Sequence, residues 1–206
     1  MPAGSKLMPD NRPLDARLAG MLVYPLRNTA VTPNHLTTLR MLLGIAACVL
    51  LGMGTFASTN AGALCFAVSA FLDHADGELA RITGNKTKFG HYYDLASDAV
   101  SDILLFIGIG IGLSHGALGS AALFMGILAG LSVAGIFQMR VMIGNMTGKD
   151  QMDMPNIGLF EIEDVLYLLP LITLFEWLYP FLILAAVGTP AFALLTLRDY
   201  LRHKRS

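Results

Sequence analysis

The sequence predicts an all-α, polytopic membrane protein of six transmembrane helices, preceded by an N-terminal amphipathic surface helix. Three observations carry that prediction. Hydrophobic residues make up 54% of the 206 and charged residues only 14%, against about 25% charged in ordinary soluble domains. Apolar segments near the roughly 20 residues that a bilayer core requires recur along the chain. Lys and Arg are confined to alternate connections and the chain ends. A net charge of −1 gives no sign of a nucleic-acid partner. Cys48 and Cys65 lie inside apolar runs without metal-ligand spacing and read as small core residues.

Residues 1–14 are polar and contain Pro and Gly, as expected of a loose tail, and no leader for processing is expected because no basic n-region with an apolar h-region opens the chain. From Asp15 to Arg27, the apolar Leu18, Met21, Leu22, Tyr24 and Leu26 between Arg17 and Arg27 suit a short helix lying at the membrane surface. Thr32-Pro33-Asn34 is a helix-start signal. The six spans are expected at about 35–56, 60–82, 89–113, 117–144, 158–175 and 178–200, with the last two meeting at a Glu176-Trp177 turn. The fifth opens on acidic residues and contains Pro170. The whole chain, 1–206, reads as one integral-membrane domain: tail and surface helix over 1–32, six-helix bundle over 33–200, with no internal repeat.

Lys and Arg set the expected orientation. They lie in the N-terminal stretch up to Arg40, around the 2–3 connection (Arg81, Lys86, Lys88), around the 4–5 connection (Arg140, Lys149) and at the C-terminus (Arg198, Arg202, Lys204, Arg205). Under the positive-inside rule both termini and these connections face the cytoplasm.

On that side the chain places Asp73, Asp76, Asp94 and Asp98 at the ends of two apolar segments, where a charge unpaired with a cation is costly. In helices, Asp73 and Asp76 share a face at i,i+3, and Asp94 and Asp98 at i,i+4. Two such pairs facing each other make an all-oxygen site for hard divalent cations, Mg²⁺ or Mn²⁺. Gly77 leaves the helix backbone open to a close ligand, at a helix-propensity penalty of about 1 kcal/mol. Arg81, one turn on, offers a planar fork suited to phosphate oxygens.

The pattern Asp-x2-Asp-Gly-x2-Ala-Arg-x8-Gly-x3-Asp-x3-Asp resembles the signature of the CDP-alcohol phosphotransferase family. Asp73, Asp76, Gly77, Ala80, Arg81, Gly90, Asp94 and Asp98 fill each of its defined positions. The resemblance implies a metal-dependent enzyme of phospholipid or polar-lipid synthesis. It would cleave a CDP-linked alcohol, pass the phosphoryl-alcohol portion to the hydroxyl of an alcohol acceptor and release CMP; phosphatidyl transfer from CDP-diacylglycerol is the first reading, and transfer of a choline- or ethanolamine-type head group onto a lipid alcohol the alternative. It implies two ions held by Asp73, Asp76, Asp94 and Asp98, with Asp98 also taking the acceptor's proton. Gly77 and Arg81 become donor contacts. Thr87 is either a donor contact or a plain loop threonine. Asn34 and Thr37 either bind the donor diphosphate or serve as a cap and an i−4 back-bond. A homodimer is implied too, and Gly108, Gly110, Gly112, Gly126, Gly130 and Gly135 would allow close helix packing.

Other residues are read beside the signature. Asp102, one turn past Asp98, suits a structural partner, and His74 and His91 suit cavity walls, since hard cations prefer oxygen. For the acceptor, Arg140 and Arg198 could grip a phosphate. Glu161 and Asp164, which share one face at the start of the fifth span, resemble instead an acidic site for a cationic head group, or form a solvated helix start favoured by the macrodipole. This acidic opening weights the sequence towards a non-phosphorylated acceptor. Two other classes are less well matched. Membrane prenyltransferases space their aspartates differently, and a cation transporter would hold its carboxylates at mid-membrane without Arg81 beside them.

Overall fold

The computed structural model of the chain describes residues 14–147 and 166–205, all of whose regular structure is helical. Helix α1, Leu14–Val23, runs into a 3₁₀ turn, Tyr24–Asn28. Pro25 sits in the first turn of that segment, where a missing N–H leaves no bond unmade. Ala19 and Val23 are buried with Leu36, Ala75 and Leu79, while Leu18, Met21 and Leu22 are exposed. One side of α1 thus docks on the bundle and the other offers an apolar face, as a surface helix requires.

Five helices are long and apolar enough to cross a membrane: α2 (Pro33–Gly52), α3 (Phe56–Thr83), α4 (Lys88–Ser114), α5 (Ser120–Thr147) and α7 (Leu178–Arg205). Between the last two lies α6, Leu169–Leu174, only six residues long. Six spans were expected and five are found among the described residues, because 148–165, most of the segment's first half and the connection before it, lie outside them. Residues 166–167 are helical, a turn follows at Leu168, and Pro170 lies in the first turn of α6. The expected turn at Glu176-Trp177 is present, and Glu176 adopts a φ of 57° there.

Local chemistry sets the helix ends. Thr32, extended at φ −105° and ψ 158°, caps α2 with Pro33 in the first turn, and its N–H donates to His35 Nδ1 at 3.1 Å. The cap is therefore Thr32 rather than Asn34. Helix α3 stops at Gly84, whose φ of 67° is a left-handed conformation that glycine adopts without strain. Thr87 caps α4, its Oγ1 accepting from the Gly90 N–H at 2.9 Å.

Helix α2 packs against both α3 and α4, α4 against α5, α5 against α7, and α1 and α6 against α3. The glycines make the close crossings possible. A Cβ on Gly108 would stand 2.6 Å from the Cys48 carbonyl on α2, and one on Gly110 2.7 Å from the Ala122 carbonyl on α5. Gly112, Gly126 and Gly130 are likewise pressed against neighbouring backbone, whereas Gly135 has nothing within 4 Å. Five of the six glycines are thus engaged inside the chain, and a dimer would have to use other surfaces. Large apolar side chains on the outer faces, among them Leu42, Val49, Leu64, Phe124 and Leu184, are exposed. Such extensive apolar surface is what a multi-pass membrane protein presents to lipid.

Because the spans alternate in direction, the starts of α2 and α4 and the end of α3 meet at one end of the bundle. The two aspartate pairs lie there.

Candidate active site

Asp73 and Asp76 project from the C-terminal half of α3, and Asp94 and Asp98 from the N-terminal half of α4. Helix α2 supplies what holds them. Thr37 Oγ1 donates to Asp76 Oδ2 at 2.7 Å, and it also approaches the Pro33 carbonyl at 3.2 Å. Thr37 thus makes the expected i−4 back-bond and, in addition, a contact to Asp76 that neither reading of it named. One turn on, the Arg40 guanidinium enters the cluster itself. Its Nη1 donates to Asp73 Oδ1 and Asp98 Oδ1, and its Nη2 to Asp94 Oδ1 at 3.0 Å and to the Asp94 carbonyl at 3.2 Å. Arg40 is 2% exposed, and its own carbonyl accepts from Ser69 Oγ on α3 at 3.0 Å.

Asp73, Asp76 and Asp94 each bring a carboxylate oxygen to within 4.8 Å of the other two. Asp98 stands beside this triad, linked to Asp73 through the shared Arg40 Nη1. Four carboxylates facing one guanidinium are short of positive charge, and the spare oxygens suit a hard divalent cation better than a soft one. The residues present thus fit Mg²⁺ or Mn²⁺.

Two cavities flank the cluster. The larger, ≈ 370 Å³, is reached by Asp76, Asp94, Gly77, Lys86, Thr87 and His91. No atom lies within 4 Å of the place a Cβ on Gly77 would take, so the α3 backbone is open to a ligand there. The smaller, ≈ 80 Å³, is lined by Asp73, Asp98, His74, Ser101, Asp102 and Tyr167, with Arg40 at its wall. His74 stacks on Tyr167 with ring centroids 6.3 Å apart. His74 and His91 are therefore wall residues.

Other expected contacts are placed differently. Both Arg81 Nε and Nη2 donate to Glu78 Oε2, at 3.1 and 2.7 Å, so the fork expected to face phosphate is turned to its own helix. Lys86 is the basic residue lining the larger cavity. Thr87 combines cap and cavity wall. Asn34 sits where α2 meets α4, its Oδ1 3.0 Å from where a Cβ on Gly90 would lie. Arg140 on α5 rests over the Phe192 ring of α7 at 5.4 Å, and Arg198 is exposed on α7. Glu161 and Asp164 lie outside the described residues.

Sequence reasoning counted Arg40 only for orientation and did not place it in the site. The signal was present: an arginine seven residues into α2 sits about 10 Å along an apolar helix, too deep to stay without a carboxylate partner.

Membrane-length helices with facing aspartate pairs at one end and an open cavity beside them make an arrangement suited to a divalent cation and a ligand that approaches it. The family model described as CDP-alcohol phosphatidyltransferase matches residues 30–197, and the chain belongs to that family. Among curated relatives, the archaetidylinositol phosphate synthase of Pyrococcus horikoshii is 38% identical over 89 residues, 42% of this chain and 45% of the relative. A protein of Thermococcus kodakarensis named bifunctional IPC transferase and DIPP synthase is 34% identical over 92 residues, 45% of this chain and 19% of its own length. The chain thus spans less than half the length of the curated relatives it matches. The crystal structure of Mycobacterium tuberculosis phosphatidylinositol phosphate synthase with CDP-DAG bound superposes with a TM-score of 0.62 over 92% of each chain. Their identity is 19%, so this likeness shows the fold.

Proposed function

We propose that the chain transfers a phosphatidyl group from a CDP-linked lipid donor to the hydroxyl of an alcohol acceptor, releasing CMP. The observation that carries this reading is the meeting of the four aspartates with an open cavity at Gly77. In this reading the cytidine diphosphate enters the larger cavity, where Gly77 gives it close approach, and Lys86 and Thr87 meet its phosphates. Asp73, Asp76 and Asp94, joined by Asp98, would hold the divalent cations, two in this reading, which would supply positive charge to stabilise the diphosphate and the leaving CMP. Asp98, facing the smaller cavity, takes the acceptor's hydroxyl proton through its carboxylate. The hydroxyl oxygen then bonds to the lipid-side phosphorus, and the phosphorus–oxygen bond to CMP breaks.

The segregation of Lys and Arg supports a cytoplasmic site, and Arg40 can be set aside from that count without changing it. A sixth span through 158–175 belongs to the same proposal, since it returns the C-terminus to the site's side.

For the acceptor, two relatives are named as synthases of archaetidylinositol phosphate and phosphatidylinositol phosphate. Arg140 and Arg198 lie in the C-terminal thirds of α5 and α7. Together these favour a phosphorylated polyol over the uncharged or amino alcohol that the acidic opening of the fifth segment suggested. The test is CMP release from CDP-diacylglycerol with inositol 1-phosphate or glycerol 3-phosphate, against inositol and amino alcohols. Turnover on the phosphorylated pair that drops in Arg140→Ala supports this reading; turnover on inositol or an amino alcohol alone overturns it.

A further inference from the structure

The four aspartates are not held symmetrically. Arg40 takes one oxygen, Oδ1, from each of Asp73, Asp94 and Asp98, and Thr37 takes one oxygen, Oδ2, from Asp76. The second oxygen of all four carboxylates has no hydrogen-bond partner among the described residues. Both holding groups come from α2, three residues apart and on one face of that helix. The base of the arrangement is fixed in turn, since Ser69 of α3 donates to the Arg40 carbonyl.

From this geometry we infer that Arg40, seconded by Thr37, is the positioning residue of the metal site. It grips the back oxygens of carboxylates on α3 and α4, so that the four front oxygens stand ready for cations. The inference rests on the reading that the aspartates hold divalent ions, and it goes beyond it by naming what presets them. A guanidinium suits the task because its planar fork reaches three carboxylates with two nitrogens, which an ammonium's single nitrogen does less well. The cation and the guanidinium then occupy the cluster together rather than in turn.

This role has a sign that simple charge does not share. Removing a positive charge beside a metal site should tighten cation binding, whereas removing the group that orients its ligands weakens it, by about ten- to a hundredfold where such partners have been removed elsewhere. The experiment measures Mn²⁺ affinity of the purified protein in nanodiscs by electron paramagnetic resonance, without nucleotide, for wild type, Arg40→Lys, Arg40→Met and Thr37→Val. Helical content and melting temperature without metal are read in parallel. The inference predicts a Kd for Mn²⁺ raised about tenfold or more in both Arg40 variants, and by less in Thr37→Val, which frees only one carboxylate. Arg40→Lys is decisive, because it keeps the charge and loses the fork; it also carries the test if Arg40→Met does not fold. Unchanged or tighter Mn²⁺ binding in a folded Arg40→Lys protein overturns the inference while leaving the metal site standing. A wild-type protein that binds no Mn²⁺ overturns the proposed function itself.

Discussion

At the scale of single residues, the aspartates and Gly77 make separable predictions. Asp→Asn at 73, 76, 94 or 98 removes a group that holds or neutralises the reacting centre, so CMP release should fall about a hundredfold or more in each. The α-helical circular dichroism should stay near wild type. Gly77→Ala should behave oppositely for fold and function. With nothing within 4 Å of the new Cβ, the substitution relieves a mid-helix glycine and should stabilise α3 by about 0.5–1 kcal/mol. The same methyl projects into the larger cavity, so KM for the CDP-linked donor should rise. A melting temperature that falls, or a KM that does not move, would contradict that reading of the cavity. These residues were legible in the sequence because their spacing alone puts each pair on one helix face. Arg40 was not, since its partners are 33 to 58 positions away and only the α2–α3–α4 packing brings them together. Arg81 shows the converse. Its spacing from Gly77 was right, but Glu78, three residues back and nearly buried, takes the guanidinium first.

At the scale of the helices, close crossings make the bundle specific. Gly108→Ala would push a methyl to 2.6 Å from the Cys48 carbonyl, and backbone cannot yield as a flexible side chain does. It should therefore destabilise the protein by about 1–3 kcal/mol. Gly135→Ala meets nothing within 4 Å and should leave the detergent melting temperature unchanged or slightly raised. Equal effects of the two would show that the α2–α4 crossing is looser than described. Helix existence was plain from apolar runs of bilayer length, and the boundaries fell within a few residues. The ends that shifted most are α2's end at Gly52 and α3's start at Phe56, each four residues before the expected bound, and α7's end at Arg205, five after it; the start of α3 is set by Thr55, whose side chain accepts from the Ser58 N–H, which hydropathy does not register. The fifth segment is the exception. Pro170 and the acidic residues before it interrupt the apolar run, and in the described part a turn at Leu168 separates helical residues 166–167 from the short α6.

At the scale of the whole molecule, the proposed chemistry depends on the orientation. In a background with Cys48 and Cys65 replaced by alanine, cysteine at the exposed His115 or Ala117 should react with an impermeant maleimide from outside intact cells, and cysteine at Lys86 should not. External labelling at 86 would place the larger cavity on the wrong side for a nucleotide-linked donor. The helical membrane fold was readable from composition because lipid selects for long apolar helices, whereas an acceptor site built from helices far apart in the chain leaves no local spacing to read. The most direct test of the central claim is CMP release by the purified protein supplied with CDP-diacylglycerol and the acceptor panel, with Mg²⁺, with EDTA, and in the Asp98→Asn variant. The account predicts CMP formation that requires both the metal and an alcohol acceptor, and that is lost in EDTA and in Asp98→Asn. Undiminished CMP release in EDTA, or by the Asp98→Asn protein, would contradict it.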